Sequence, residues 1–454
     1  MARAELVVVS ERIVTPGGVR AGAVVVSGGR VAAVEDRAGG VWDGARVVDA
    51  RGAVVMPGVV DTHVHINDPG RAEWEGFASA TRAAAAGGVT TMVDMPLNSI
   101  PATTEAAGLR AKVASAEGRC AVDVGFWGGV VPGNAAALAG LIDAGVLGFK
   151  CFLSPSGVDE FGHATEADIR AAAPVLVRAG LPLLVHAEDP AVLARAPGIP
   201  RGDERRYARY LATRPPEAER SAIAMLIRVS EETGLRVHIV HVADAGSVGL
   251  IGAARARGVA ITAETCPHYL AMCAEEIADG ATRCKCAPPI RERAHREGLW
   301  DGLRAGVLDL IASDHSPSPP AGKCEESGDF GRAWGGIASV EVALAVVWTG
   351  ARARGFGVEE VARWMCEGPA LLAGLGERKG RIAPGYDADL VVWRPDAEWV
   401  VRGAALHHRH PITAHEGAAV RGVVDRTFVR GKEAFGDGRF ADRPVGRAML
   451  REHR

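Results

Sequence analysis

Nothing in the charge balance of the chain points to nucleic acid: 52 Lys plus Arg stand against 55 Asp plus Glu, a net charge of −3 over 454 residues. Without a basic excess nothing drives binding to a phosphate backbone, and no nucleic-acid partner is expected. Long apolar runs are missing too. No stretch approaches the ~18 uninterrupted apolar residues of a membrane span, so no membrane partner is expected. The opening segment MARAELVVVSERIVTP carries charges on both sides of a four-residue apolar run, too short for a signal-peptide core. Eight cysteines in 454 residues make no disulfide framework, and the chain reads as a reduced, cytoplasmic protein. No glycine-rich GxGxxG loop follows the first β-like run, which weakens a doubly wound sheet as the architecture. Internal repeats and low-complexity tracts are absent as well.

What is present is ordinary globular usage, 48% hydrophobic and 24% charged. Length alone suggests about three domains, a prior that bends if one of them is an α/β barrel of about 250 residues. Eight β-like runs, at 54–66, 89–96, 121–131, 146–153, 181–188, 236–243, 259–266 and 307–315, alternate with helix-patterned stretches at 73–86, 105–117, 166–179, 217–233 and 247–257. Gly87-Gly88, Gly145, Gly180, Gly234 and Gly258 near the helix ends fit left-handed caps. The count predicts an α/β chain with a (β/α)8 TIM-like barrel over 54–375. The flanks differ in style. Residues 1–53 and 376–454 show short β-like runs punctuated by turn signals, and are expected to meet as one small β-sandwich domain, followed by a C-terminal tail. Two long polar loops, 197–216 and 318–336, are candidates for lids or entrance rims.

The strongest chemical signal closes the first barrel strand, Asp61-Thr62-His63-Val64-His65. Side chains two apart on a strand share a face, so His63 and His65 present two imidazoles to one point. An isolated pair of this kind is more often two satisfied histidines. Here Lys150 lies in strand four, His186 ends strand five, His241 strand six and Asp314 strand eight, and active sites of barrels gather on that face. Lys150 is the odd member, because an ammonium repels cations. Its strand, Val146-Leu147-Gly148-Phe149-Lys150-Cys151-Phe152-Leu153, is apolar, and desolvation there disfavours the protonated form. A neutral amine can add carbon dioxide to become a carbamate with two oxygen donors, able to bridge two metals.

The run Pro57-Gly58-Val59-Val60-Asp61-Thr62-His63-Val64-His65 resembles the opening of the cyclic amidohydrolases, the family of allantoinases, dihydropyrimidinases (hydantoinases) and dihydroorotases. The likeness extends to Gly87-Gly88-Val89-Thr90-Thr91, Thr265-Cys266-Pro267-His268-Tyr269, Ala287-Pro288-Pro289-Ile290-Arg291 and Ser313-Asp314-His315, and to the stretch from Lys379-Gly380-Arg381-Ile382 through Asp387-Ala388-Asp389-Leu390-Val391. The resemblance implies two divalent cations, zinc first, with cobalt, manganese or iron as alternatives. It implies that His63 and His65 bind one, that N6-carboxylated Lys150 bridges, that His186 and His241 bind the second, and that Asp314 is both ligand and general base. His238, three residues before His241, is read as structural.

Three details resemble the allantoinase branch. His65-Ile66-Asn67-Asp68-Pro69-Gly70-Arg71 with Glu73-Trp74-Glu75-Gly76 carries Asn67 where dihydroorotases usually have an arginine. Met95-Pro96-Leu97-Asn98-Ser99 has the same character. No tyrosine occurs between Lys150 and Phe161, where dihydropyrimidinases keep one to polarise the scissile carbonyl. The resemblance therefore implies a small-molecule substrate, allantoin, opened to allantoate through a metal-bridging hydroxide. A hydantoinase acting on hydantoins or dihydropyrimidines is the alternative, and a metal-free dihydropyrimidinase-like scaffold a more distant one. Asn98, Ala287 and Pro288 are candidate substrate contacts, and a homotetramer is the implied assembly. His407, His408, His410 and His415 are expected in a surface segment near the site entrance or a subunit contact. Cys284 and Cys286 read as ordinary reduced thiols, since no second pair completes a zinc site.

Overall fold

The computed structural model describes residues 4–36 and 42–452. Residues 1–3, 37–41 and 453–454 of the predicted terminal segments lie outside the described residues. Eight parallel strand segments follow one another around the centre: Val59–Val64, Val89–Asp94, Asp123–Phe126 continued by Gly128–Gly129, Phe149–Phe152, Leu183–His186, Val237–Ile239, Ile261–Thr265 and Leu310–Ile311. A parallel bridge between Val64 and His315 joins the last segment to the first, and the His65 N–H donates to the His315 carbonyl at 2.8 Å. The strands read as near-continuous apolar runs because they are covered on both faces; every residue of Val59–Val64 and Val89–Asp94 is buried.

The connecting helices start and stop where their ends are satisfied. Glu166–Ala179 opens on a capping box between Thr165 and Asp168 and closes at Gly180 with φ 65°. The first helix begins later than predicted, at Phe77 rather than near residue 73. Residues ahead of it form a loop in which the buried Glu75 carboxylate accepts from the Arg409 N–H at 3.2 Å, and Gly76 takes φ 93°.

The two ends of the chain share one nine-stranded sheet. Leu6–Thr15 is its hub: one edge pairs with Gly18–Ser27, while the other is taken first by Arg46–Asp49 and then by Val54–Pro57. Val54–Pro57 also pairs with Leu390–Val400, the strand that brings the C-terminal segment into the sheet. The predicted run 54–66 is therefore two strands, and the boundary expected at 53/54 moves to Gly58. The chain has no room for a side chain there, since a Cβ on Gly58 would lie 2.2 Å from Thr90. Past the sheet, the C-terminal tail returns to the barrel, where Ala448–Met449 pairs in parallel with Val124 and Gly125 of the third strand.

A buried ion cluster pins the sheet to the barrel. Lys379 Nζ is 3.0 Å from Asp123 of the third barrel strand and 2.5 Å from Asp389 beside the sheet strand Leu390–Val400, and Arg430 also pairs with Asp123. Lys379, Asp123 and Asp389 are all buried. Removing one partner from a buried cluster leaves charge uncompensated, at a cost of about 3–5 kcal/mol. Lys379→Met is accordingly expected to lower the thermal unfolding midpoint clearly. A midpoint equal to that of the parent protein would show that the cluster is not what holds the two units together.

Candidate metal centre

Strand one delivers two imidazoles to the barrel mouth. His63 Nε2 is 3.2 Å and His65 Nε2 3.4 Å from the same Asp314 carboxylate oxygen. On the opposite side, His186 Nδ1 lies 3.0 Å from His241 Nε2. The His63 and His241 rings, 5.4 Å apart, connect the two pairs. His241 and Asp314 both follow their strands in the left-handed region, with φ 41° and 47°. That conformation is strained for a residue with a side chain, and such strain collects at functional sites.

Lys150 projects from the middle of strand four. It is fully buried, and its Nζ has no hydrogen-bond partner among the described residues. Burial pushes its pKa down to about 8, against the pull of Glu264 and Asp314. Its charge is also felt by His186 and His241, so the amine acts on the second histidine pair. Burial likewise lowers His65, His186 and, most strongly, His241. Burial would raise Asp314, yet His63, His65 and His268 hold its carboxyl well below the usual range. The result favours neutral imidazoles at His65, His186 and His241 beside an ionised carboxylate, the protonation state in which these groups bind cations. An amine so easily deprotonated and so poorly hydrogen-bonded fits carbamate formation, and the donor set as a whole fits divalent cations.

Sequence reasoning missed the carboxylates behind the histidines. Glu264, on strand seven, accepts from His63 Nδ1 at 2.5 Å and contacts His238 Nε2 at 3.0 Å. Burial alone would raise its pKa, but His63 and His238 hold it at about 2. His238 leans in turn on the Thr262 hydroxyl at 2.8 Å. It is a support, as expected, yet one tied to His63 through Glu264. Glu188 receives His186 Nε2 at 2.6 Å and is gripped by two Arg214 nitrogens at 3.0 and 2.5 Å. Carboxylates of this kind fix the ring orientation and tautomer of ligating histidines. The alternation along Thr262-Ala263-Glu264, which turns Glu264 to the same side as Thr262, was the available signal.

The centre opens into a cavity of about 830 Å³ lined by His63, His65, His186, His241 and Asp314 together with Asn98 and Ala287. The loops at 197–216 and 318–336 supply much of its wall, including Tyr210, Arg214, Phe330 and Trp334, in line with their expected place at the entrance. Trp74 and Trp334 meet edge to face at 4.8 Å across it. Asn98 is buried in the left-handed region (φ 65°) with its Oδ1 unpartnered among the described residues. Pro288 is displaced from the expected set: it does not line the cavity, and its carbonyl accepts from the Tyr269 hydroxyl at 2.6 Å.

The histidine-rich segment lies only partly on the surface, with His407 exposed and two of its histidines enclosed. His408 and His415 are buried, and burial pushes both down to about 4. His410 Nε2 donates to the Glu73 carbonyl at 2.8 Å, and the His408 ring lies 5.8 Å from that of His315. The segment clasps the first barrel loop. Cys284 and Cys286 are buried free thiols.

Glu264→Gln keeps the size of the side chain but removes the charge that orients His63. The variant is expected to fold normally and bind metal about 10–100-fold more weakly, as read by equilibrium dialysis; unchanged affinity would mean that His63 is held by other contacts.

The family model described as "Amidohydrolase family" matches residues 54–434. Among curated proteins the chain is 48% identical to an allantoinase of Streptomyces avermitilis, covering 100% of both chains. It is 46% identical to an allantoinase of Arabidopsis thaliana, covering 97% of this chain and 90% of that one. Among solved structures, an L-hydantoinase (dihydropyrimidinase) from Arthrobacter aurescens superimposes with a TM-score of 0.92 at 30% identity, covering 99% of this chain and 100% of that chain. The chain belongs to the amidohydrolase family.

Proposed function

We propose that this protein is a metal-dependent cyclic amidohydrolase that opens the hydantoin ring of allantoin to allantoate. One observation carries the chemistry: His63, His65, His186, His241 and ionised Asp314 line a single cavity, and Lys150 is buried on the neighbouring fourth strand. The substrate follows from end-to-end similarity to curated allantoinases, at 48% identity over 452 residues in one case.

In this reading His63, His65 and Asp314 would hold one divalent cation, His186 and His241 would hold a second, and Lys150, carboxylated on Nζ, would supply them with further oxygen donors. Imidazole and carboxylate donors suit zinc, with cobalt, manganese and iron as alternatives. When bound, such cations supply a water acidified towards neutrality and polarisation of a ring carbonyl. The side chains of this protein do the rest. Asp314, kept ionised by its histidine neighbours, accepts the proton of the attacking water and hands it to the departing ring nitrogen. Glu264 and Glu188 keep His63 and His186 turned to the centre. Asn98 Oδ1 offers a buried acceptor to a substrate N–H, and Ala287 forms part of the wall against which the ring lies. The tryptophans Trp74 and Trp334 narrow the entrance and limit water around the opened ring. A cytoplasmic homotetramer is the assembly that goes with this reading. Among the described residues no helix is long and apolar enough to cross a membrane.

The decisive assay offers allantoin, a 5-substituted hydantoin, dihydrouracil and dihydroorotate side by side to the metal-loaded protein. Allantoin is expected to be turned over fastest; preference for the hydantoin or dihydrouracil would instead support the hydantoinase reading, and no turnover of any would support a scaffold. Asp314→Asn is expected to keep its fold, seen by circular dichroism, and to lose on the order of 10²–10⁴-fold in kcat. Lys150→Ala is expected to retain less metal by elemental analysis, with partial recovery when a short carboxylic acid is added. Full metal content in that variant would remove the carbamate from the scheme.

A further inference from the structure

Cys266 and His268 take no part in the reaction described above, yet they lie against it. Cys266 Sγ, a His268 ring nitrogen and an Asp314 oxygen are within 4.8 Å of one another, and all three residues are buried. Cys266 closes strand seven; Pro267 then starts the short helix Pro267–Ala271, which turns His268 back towards the barrel mouth. His268 packs edge-on against Tyr269 at 4.2 Å, but neither of its ring nitrogens meets a hydrogen-bond partner among the described residues. Buried imidazole nitrogens are normally paired, so an unpaired one aimed into a cluster of donors points to a ligand. The donors differ in kind from those of the neighbouring set. His63, His65 and Asp314 offer nitrogen, nitrogen and oxygen, whereas Cys266, His268 and Asp314 offer sulfur, nitrogen and oxygen, a combination that favours soft cations. Asp314 belongs to both sets and lines the cavity, which gives a cation a route of entry.

We propose that Cys266, His268 and Asp314 form an overlapping, inhibitory site for a thiophilic divalent cation such as cadmium or excess zinc. On binding, the Cys266 S–H bond breaks and its proton leaves to solvent while a sulfur–metal bond forms. His268 binds through a neutral nitrogen, and no group changes oxidation state. Because the site draws on Asp314, its occupant withdraws that carboxylate from the proton transfer. The inhibition thus rests on the role proposed for Asp314, while the binding does not.

The test titrates cadmium into the full-length, metal-loaded protein. It follows the ultraviolet thiolate-to-cadmium charge-transfer band, the protons released, and cadmium and resident metal by elemental analysis after dialysis. One further equivalent of cadmium, a thiolate band and one released proton are expected. Cys266→Ser and Cys266→Ala should both lose the band, and His268→Gln should weaken binding by about tenfold or more. Turnover should fall with cadmium occupancy in the parent protein and, relative to its own cadmium-free rate, resist cadmium in either Cys266 variant. A band that survives in both Cys266 variants, or that disappears instead in Cys286→Ser, overturns the site, as does the absence of a further equivalent. Binding at Cys266 with undiminished turnover leaves the site standing and overturns the proposed role of Asp314.

Discussion

Desolvation, set against a few well-placed countercharges, is the constraint on which the centre depends. Six donor side chains are packed into the mouth of the barrel and largely withdrawn from water. Left to burial alone, the carboxylates there would take up protons and the amine and imidazoles would lose them. His65, His186 and His241 follow that tendency towards the neutral form. Lys150 follows it far enough to titrate at about 8. Asp314, Glu264 and Glu188 resist it because each sits among histidines or arginine that favour its ionised form. Neutral nitrogen donors beside negative oxygen donors are therefore a product of packing, and that pairing is what makes the mouth of this barrel attractive to cations.

The supports behind the donors reach into the loops that wall the cavity. Arg214, in the loop that runs into the helix Pro216–Thr233, grips Glu188, and Glu188 holds His186. The backbone carbonyl of Arg214 in turn accepts from Arg291, whose guanidinium is buried against Glu219. One side of the entrance and one histidine pair are thus joined by a continuous set of charged contacts. On the other side, Lys323 is buried inside the loop 318–336 and donates to the Trp334 carbonyl at 3.0 Å. An ammonium enclosed by carbonyls holds Trp334 over the cavity at the cost of its own hydration. On the Arg214 side, the wall of the entrance and the orientation of His186 are therefore tied through the same few residues.

The terminal sheet contributes by position. Its strand Val54–Pro57 hands the chain directly to Val59–Val64, the strand that ends at the first histidine pair. The Lys379 cluster locks the sheet against the third barrel strand, and the segment carrying His408 and Arg409 reaches over from the C-terminal half to hold the loop that follows His65. The barrel mouth is thus braced from outside the barrel.

The alternation of β-like and helical runs was legible in the chain itself, because a fully buried parallel strand must be apolar and a helix between strands must carry a period of 3.6. Local pattern also marked His63 and His65, whose spacing of two on a strand leaves them on one face. Alternation placed Glu264 on the side of Thr262 and Glu188 two residues from His186, but it could not pair Glu264 with His63, 201 residues away in the chain, or bring Arg214 against Glu188. Nor could it divide the run 54–66 at Gly58, bury His408 and His415, or turn Pro288 away from the cavity, because each depends on a neighbour distant in sequence. Periodicity is a property of adjacent residues and sets the elements and their order. Which groups are ionised, which are paired and which face the cavity depends on what the closed barrel brings against them, and that was decided only when the chain folded.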